Sequence, residues 1–239
     1  MSARRSGRVW IGTSGWHYPH WVGPFYPDGT RAADMLGWYA TCFPTVEVNN
    51  TFYRLPPAAT FRAWRDAVPR GFVFACKASR YLTHLKKLNV PRRSVSMFFR
   101  RADVLGDRLG PVLFQLPPRW HRNAERLRAF LKALPAGHRM AFEFRDESWL
   151  APEVFDLLAA HDAACCAWEF AGRTPDVPLT AGSPTSACTD RPARTRGGTA
   201  IGSSGSGPIG SPGGAPAGAT STATSTTTSG AMRRTMRCG

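Results

Sequence analysis

Pro111-Val112-Leu113-Phe114-Gln115-Leu116, then the helical pattern of Asn123 to Leu134, then Met140-Ala141-Phe142-Glu143-Phe144-Arg145: this succession decides the fold. The two flanking runs are short and mostly apolar, as strands covered on both faces are. Between them Ala124, Leu127, Phe130, Leu131 and Leu134 form one apolar stripe, with Glu125, Arg126, Arg128 and Lys132 on the other side. That is the pattern of a helix lying on a sheet. Strand, helix and strand in this order make a parallel crossover unit.

Working outward, the unit recurs. Apolar runs stand at Val9 to Thr13, Thr45 to Asn49, Phe72 to Lys77 and Ala163 to Phe170, and helical patterns at Ala32 to Cys42, Ala58 to Val68 and Pro152 to His161. Pro152 and Glu153 suit a first helical turn, where a missing N–H is harmless and a negative charge meets the helix dipole. Successive runs start roughly 23 to 39 residues apart, the interval of strand–helix units. Six such units predict an α/β fold, a TIM-type (β/α) barrel truncated to about six of eight β/α units. An open doubly wound sheet is the competing arrangement. No glycine-rich dinucleotide fingerprint follows the first run, however, and a tight turn accounts for Gly12-Thr13-Ser14-Gly15.

The pattern stops near residue 182. From Gly182 onward the chain is almost entirely Gly, Ser, Thr, Ala, Pro and Arg, and all 8 Trp precede residue 169. Such a composition buries too little apolar surface to offset the entropy of ordering. Residues 1–182 are therefore read as an incomplete barrel domain and 183–239 as a low-complexity, disordered tail. The run Thr220-Ser221-Thr222-Ala223-Thr224-Ser225-Thr226-Thr227-Thr228-Ser229 holds a second message. Thr codons are ACN and Ser codons TCN, so a frame starting one base earlier turns each Thr into Asp, Asn, His or Tyr and each Ser into Val, Phe, Leu or Ile. The outcome can be spelled Asp-Val-Tyr-x-Tyr-Phe-Asp-Asn-Asp, a strand ending in a polar cluster. A frameshift near Thr180 to Ser183 accounts for both features, and a genuine low-complexity tail is the alternative; sequencing the coding DNA decides between them.

The formal charge of +15 is shared unevenly, with 25 Lys/Arg against 15 Asp/Glu up to residue 182 and 6 against 1 beyond it, hence +10 and +5. The basic residues are scattered as Arg4-Arg5, Lys86-Lys87, Arg92-Arg93 and Arg100-Arg101, compatible with a phosphate-bearing partner or with an ordinary solvated surface. The 6 Cys show no CxxC pair and no metal-type spacing. Cys165 and Cys166, adjacent in one strand, point to opposite faces and do not pair with each other. A reducing, cytoplasmic setting follows. Val9-Trp10-Ile11 is too short for a signal or membrane segment, so no membrane partner is expected.

Seven strings stand in order: Gly12-Thr13-Ser14-Gly15-Trp16-His17-Tyr18, Gly23-Pro24-Phe25-Tyr26-Pro27, Val46-Glu47-Val48-Asn49-Asn50-Thr51-Phe52-Tyr53-Arg54-Leu55-Pro56, Phe74-Ala75-Cys76-Lys77-Ala78, Thr83-His84, Leu113-Phe114-Gln115-Leu116-Pro117-Pro118, and Glu143-Phe144-Arg145-Asp146-Glu147-Ser148-Trp149. Together they resemble the YecE-like family, domain of unknown function 72, from about Val9 to Thr180. The resemblance implies an eight-stranded TIM-type barrel, of which this sequence reaches the sixth strand. It also implies later strands ending in Arg-x-His-Gly-like and Tyr-Phe-Asn/Asp-Asn-Asp-like motifs. Neither is present as translated, and the second matches the shifted reading of Thr220 to Thr228. Asp146 departs from the family pattern, which places His there. The resemblance brings no established activity with it.

Barrels carry their functional side chains at the C-terminal ends of strands. On that logic the catalytic candidates are Lys77, Glu143, Arg145 and Glu47, and the binding candidates are Ser14, Asn49, His84 and Gln115. Glu143 and Arg145, two apart, project to one face of a strand. Structural ion pairs, Lys77 with Glu47 and Arg145 with Glu143, are the alternative account of the four charges. Thr83-His84 is placed in a loop just past the third strand, where a histidine titrates near neutral pH. Trp16, Tyr18, Trp21, Phe25 and Tyr26 are read as a packed loop cluster over the barrel mouth, with a base- or sugar-stacking platform as the alternative. His17-x-x-His20 has no carboxylate or Cys companion, so no metal site is expected, and no cofactor is identified.

Three functional readings compete. The first is a barrel that binds or processes an anionic substrate, a phosphate-bearing small molecule or nucleic-acid fragment, with Lys77 and Arg145 holding charge and Glu143 or Glu47 as acid/base. The second is a non-catalytic nucleic-acid-binding protein using surface Arg clusters. The third, expected for this chain, is that a barrel short of two units is non-functional or impaired, since raw sheet edges and an opened core are liabilities. No protein partner is implied.

Overall fold

Gly12 opens the first strand because nothing larger fits: a Cβ there would lie 2.1 Å from the carbonyl oxygen of Thr45 on the neighbouring strand. The close approach pairs β1 (Gly12–Ser14) with β2 (Thr45–Val48) in parallel. The structure, a computed structural model, describes residues 10–168 and 176–181 of the chain. β3 (Val73–Lys77), β4 (Leu109–Gln115), β5 (Met140–Glu143) and β6 (Ala163–Cys165) follow. The six form one sheet in the order β1-β2-β3-β4-β5-β6, every neighbouring pair parallel. Consecutive parallel neighbours joined by helices are the arrangement of a TIM-type (β/α) barrel, here with six strands among the described residues.

The helices are α1 (Met35–Cys42), the single turn α2 (Asn50–Tyr53), α3 (Ala58–Asp66), α4 (Arg92–Ala102), α5 (Ala124–Ala133) and α6 (Pro152–Ala159). Asn123 starts α5 by accepting the Arg126 N–H on its side-chain oxygen at 2.9 Å, one of the donors a helix start leaves open. Helix α4 was not among the sequence expectations. Its buried residues Val95, Phe98, Phe99 and Ala102 recur at helical spacing, but Arg92, Arg93, Arg100 and Arg101 dilute the stripe into what reads as a charged surface.

Alternation sorts the sheet into two faces. Val46, Val48, Phe74, Cys76, Val112, Phe114, Met140 and Phe142 join the large core beneath the helices. Within it the Phe114 and Phe142 rings stack at 5.0 Å, and Phe130 of α5 meets Phe114 edge-on at 5.3 Å. Leu113, Ala141, Ala164 and Cys166 form a second, small cluster on the inner face. Cys165 packs against the larger core instead, so the two adjacent cysteines do face opposite ways, and they form no disulfide with each other.

Three placements correct the sequence reading. Residues 81–85 are a wide helical turn rather than a loop, so His84 lies within helical backbone. Asn49 follows β2 and stands at the start of α2 rather than in the strand. The aromatic first loop is bound into the α1 side of the core: Phe25 meets Trp38 at 4.7 Å, Trp21 meets Phe25 at 5.4 Å, and the fully buried Tyr26 donates its hydroxyl to the Trp16 carbonyl.

Thr180 closes part of the exposed side of β6. Its hydroxyl accepts the Cys165 N–H at 2.8 Å and donates to the Ala163 carbonyl at 2.7 Å, so two groups of an edge strand are satisfied by one side chain. Ala181 packs on the inner cluster. The expected domain limit at 182, the disordered tail 183–239 and its shifted-frame origin fall outside the described residues. Among those described, no helix is long and apolar enough to cross a membrane.

Candidate functional site

The inner face becomes polar toward the C-terminal ends of the strands, because the alternation that gives Val46, Cys76, Phe114 and Phe142 to the helices turns Glu47, Lys77, Gln115 and Glu143 the other way. Register aligns them: Ser14 is opposite Glu47, and Gln115 opposite Glu143. Seven of the eight predicted residues lie in two networks of side-chain contacts.

The first network joins β1, β2 and β3. Ser14 Oγ donates to Glu47 Oε1 at 3.0 Å and accepts from Asn49 Nδ2 at 2.7 Å. Lys77 Nζ lies 3.8 Å from the same Glu47 oxygen and 5.5 Å from the centre of the Phe52 ring. Lys77 is only 7% exposed. The buried Thr51 hydroxyl, 2.6 Å from the Lys77 carbonyl and 3.0 Å from that of Val48, ties α2 to the strand ends and fixes the lysine's backbone.

The second network joins β4, β5 and the residues after β6. Glu143, 1% exposed, accepts from Gln115 Nε2 at 2.8 Å and from Arg145 Nε. The Arg145 guanidinium lies over the Trp168 indole, 5.1 Å from the ring centroid. Trp168 is 8% exposed, and its buried indole Nε1 has no hydrogen-bond partner among the described residues. Buried donors are nearly always satisfied, so an unsatisfied one beside a charge cluster marks a place for an acceptor. The sequence reading missed Trp168. Counting by twos from Ala164 and Cys166 along the sixth run puts it on the inner face.

His84 stands apart from both networks but within reach of their charge. Its Nδ1 is 2.9 Å from Thr83 Oγ1, its ring meets Phe52 edge-on at 4.9 Å, and burial, then the Lys77 charge, lowers its pKa from 6.5. The protonated form is disfavoured where a second cation would face Lys77.

Asp146 has a local task. Its carboxylate accepts from Ser148 Oγ at 2.6 Å and Ser148 N at 3.1 Å, capping the turn Glu147–Trp149, and those bonds hold its pKa below the usual 3.8. His17 and His20 gather no ligand set: among the described residues no three His, Cys, Asp or Glu converge as a metal would require. A cavity of about 560 Å³ lies at the opposite end of the sheet, where β5 and β6 begin, bordered by Leu134, His138, Arg139 and His161. It includes none of the eight candidates, and that end of a barrel ordinarily serves stability.

Comparison with known proteins agrees with this architecture. The family model described as "Protein of unknown function DUF72" matches residues 10–200. The chain is 30% identical over 159 residues to the UPF0759 protein YunF of Bacillus subtilis (strain 168), covering 62% of this chain and 54% of that protein. It therefore spans about half the length of the curated relative it matches. Among solved structures, a DUF72 family protein (TM1631) from Thermotoga maritima MSB8 is 26% identical with a TM-score of 0.62, covering 72% of this chain and 70% of that one. Another (EF0366), from Enterococcus faecalis V583, is 18% identical with a TM-score of 0.54, covering 64% and 67%, and shares the fold. From its matched residues and its six parallel strands joined by helices, this chain belongs to the DUF72 family.

Proposed function

We propose that the mouth formed at the C-terminal ends of the strands binds a phosphate-bearing anion, a phosphate ester or nucleic-acid fragment. Lys77 and Arg145 hold its charge, Glu143 or Glu47 acts as acid/base, and Ser14, Asn49, His84 and Gln115 line the approach. One observation carries this reading: two cations, two carboxylates and an unsatisfied indole N–H are gathered, nearly buried, at the same end of one sheet. Desolvating that many polar groups costs several kcal/mol unless a ligand shares their bonds. The competing account, two structural ion pairs, leaves the Trp168 donor unexplained.

Turnover by a six-stranded sheet is expected to be impaired relative to a closed barrel, because an edge that stays open admits water to the mouth, which weakens each electrostatic contact. Binding and chemistry are separated by experiment. Inorganic phosphate is titrated into the chain while its thermal midpoint is followed, and bis(p-nitrophenyl) phosphate is offered as a substrate. At 100 times its dissociation constant, phosphate stabilises by about 2.7 kcal/mol. Lys77→Met and Arg145→Met abolish that response. A midpoint indifferent to phosphate in the unsubstituted chain sinks the proposal.

The second reading, a non-catalytic nucleic-acid binder using surface Arg clusters, has less support. Arg92, Arg93 and Arg100 belong to α4 on the outer layer, Lys86 and Lys87 follow β3 at the mouth, and Arg4-Arg5 lie outside the described residues.

A further inference from the structure

Three consecutive loops border the mouth: residues 49–57 after β2, 78–91 after β3 and 116–123 after β4. They contain no Asp or Glu at all, yet carry Arg54, Arg80, Lys86, Lys87, Arg119 and Arg122 within about fifteen residues' reach of the two mouth networks along the chain. All six are exposed, and none forms an ion pair among the described residues. Elsewhere Arg31, Arg65 and Arg108 each have a carboxylate within 3.1 Å. Over these three loops the rim is thus basic, at the end of the sheet where the candidate site lies; the next loop, after β5, borders it with Asp146 and Glu147, and Asp146 Oδ1 is 3.5 Å from His121 Nδ1.

Aromatic rings are set among these charges. Tyr53 is 68% exposed and Tyr81 39%. Lys86 Nζ is 5.8 Å from the Tyr81 ring, and Lys87 Nζ is 5.9 Å from that of Trp120, linking the second loop to the third. A solvated surface leaves an apolar ring as open as Tyr53 without a use, whereas unpaired bases stack on such faces.

The backbone gives an independent sign. Lys87 (φ 46°), Leu88 (φ 66°) and Arg119 (φ 58°) are three of the four non-glycine residues with positive φ among those described. Residues with side chains adopt that region at a cost, and they do so where the surrounding structure dictates their direction. Two of the three are rim cations.

We infer that the ligand of this site is a polymer, single-stranded nucleic acid, whose phosphates run along the six rim cations and whose bases stack on Tyr53 and Tyr81 while one phosphate enters the mouth. The inference rests on the anion-binding reading above and narrows it from any phosphate ester to a polynucleotide. Stacking on exposed rings requires unpaired bases, so a duplex fits the rim less well. An anionic lipid surface meets the charge equally but gives Tyr53 and Tyr81 no stacking partner.

The test uses the full chain and fluorescein-labelled (dT)12, read by anisotropy, with dTMP, a hairpin duplex and phosphatidylserine vesicles as competitors. (dT)12 is expected to bind about 100-fold more tightly than dTMP, because a monomer reaches one phosphate contact and the polymer several. Tyr53→Ala weakens (dT)12 by about 10-fold. Lys86→Glu with Arg119→Glu lowers the slope of log affinity against log salt by about 1.4, from two lost phosphate contacts at about 0.7 each. Circular dichroism of each variant checks that the fold is kept. If (dT)12 binds no better than dTMP, or the hairpin or the vesicles compete better than (dT)12, the polymer inference is overturned while phosphate binding by the mouth stands. If (dT)12 binds with these sensitivities but phosphate leaves the thermal midpoint unmoved, the rim is supported and the mouth reading falls instead.

Discussion

The guanidinium carbon of Arg145 lies over the indole of Trp168, 5.1 Å from its centroid, while its Nε donates to Glu143, so one arginine joins the most buried carboxylate of the mouth to a donor left unsatisfied among the described residues. Replacing the Trp168 indole by the isosteric benzothiophene removes the donor and keeps the ring. The ligand-free chain is expected to gain about 1–2 kcal/mol, the desolvation penalty of an unpaired N–H. Phosphate affinity should fall about 10-fold, and opposite signs in these two measurements are the signature of a donor reserved for a ligand. A variant with unchanged affinity assigns Trp168 to packing alone.

Glu143→Gln keeps the shape of the side chain and removes the carboxylate that Gln115 and Arg145 share. Breaking one side of a buried pair costs about 3–5 kcal/mol. The double variant Glu143→Met with Arg145→Met is expected to recover most of that loss, since neither charge is then left behind. Urea unfolding of the three proteins gives the comparison.

His84 makes stability pH-dependent with a definite sign. Its pKa is below 6.5 in the folded chain, so the unfolded chain takes up a proton that the folded one refuses. Stability therefore falls as pH drops from about 6.5 toward the folded value, levels off below it, and is insensitive to this group above 6.5. In His84→Gln that part of the slope disappears, measured as denaturation midpoints between pH 5 and 8.

Thr180→Val preserves the shape of the side chain and deletes the hydroxyl that serves the Cys165 N–H and the Ala163 carbonyl. The expected loss is about 1–3 kcal/mol per group left buried and unpaired. Hydrogen exchange at Cys165 should rise with it; an unchanged rate there shows that the edge is protected some other way.

Much of this molecule was legible in the residues. The six strands lie at or within a few residues of their apolar runs because parallel strands covered on both faces read as short, mostly apolar stretches. Lys77, Glu143 and Arg145 stood out as candidates because they are charges inside or beside such runs, where they serve either a site or a structural ion pair. Helix α4 was hidden because its four arginines conceal the spacing of Val95, Phe98, Phe99 and Ala102. The turn at residues 81–85 is helical with Leu82 and Thr83 buried, Leu82 in the large core, a tertiary demand with no local signal.

What the chain of residues settles alone is periodic: which segments are strands and helices, their order, and which side chains share a face, all consequences of bond geometry repeating along a backbone. What needed the folded molecule is contact between parts far apart in number. Trp168 beside Arg145, Ser14 against Glu47, and the meeting of three acid-free loops around one mouth arise from the pairing of the strands into one sheet, where burial and register, rather than local preference, choose the neighbours.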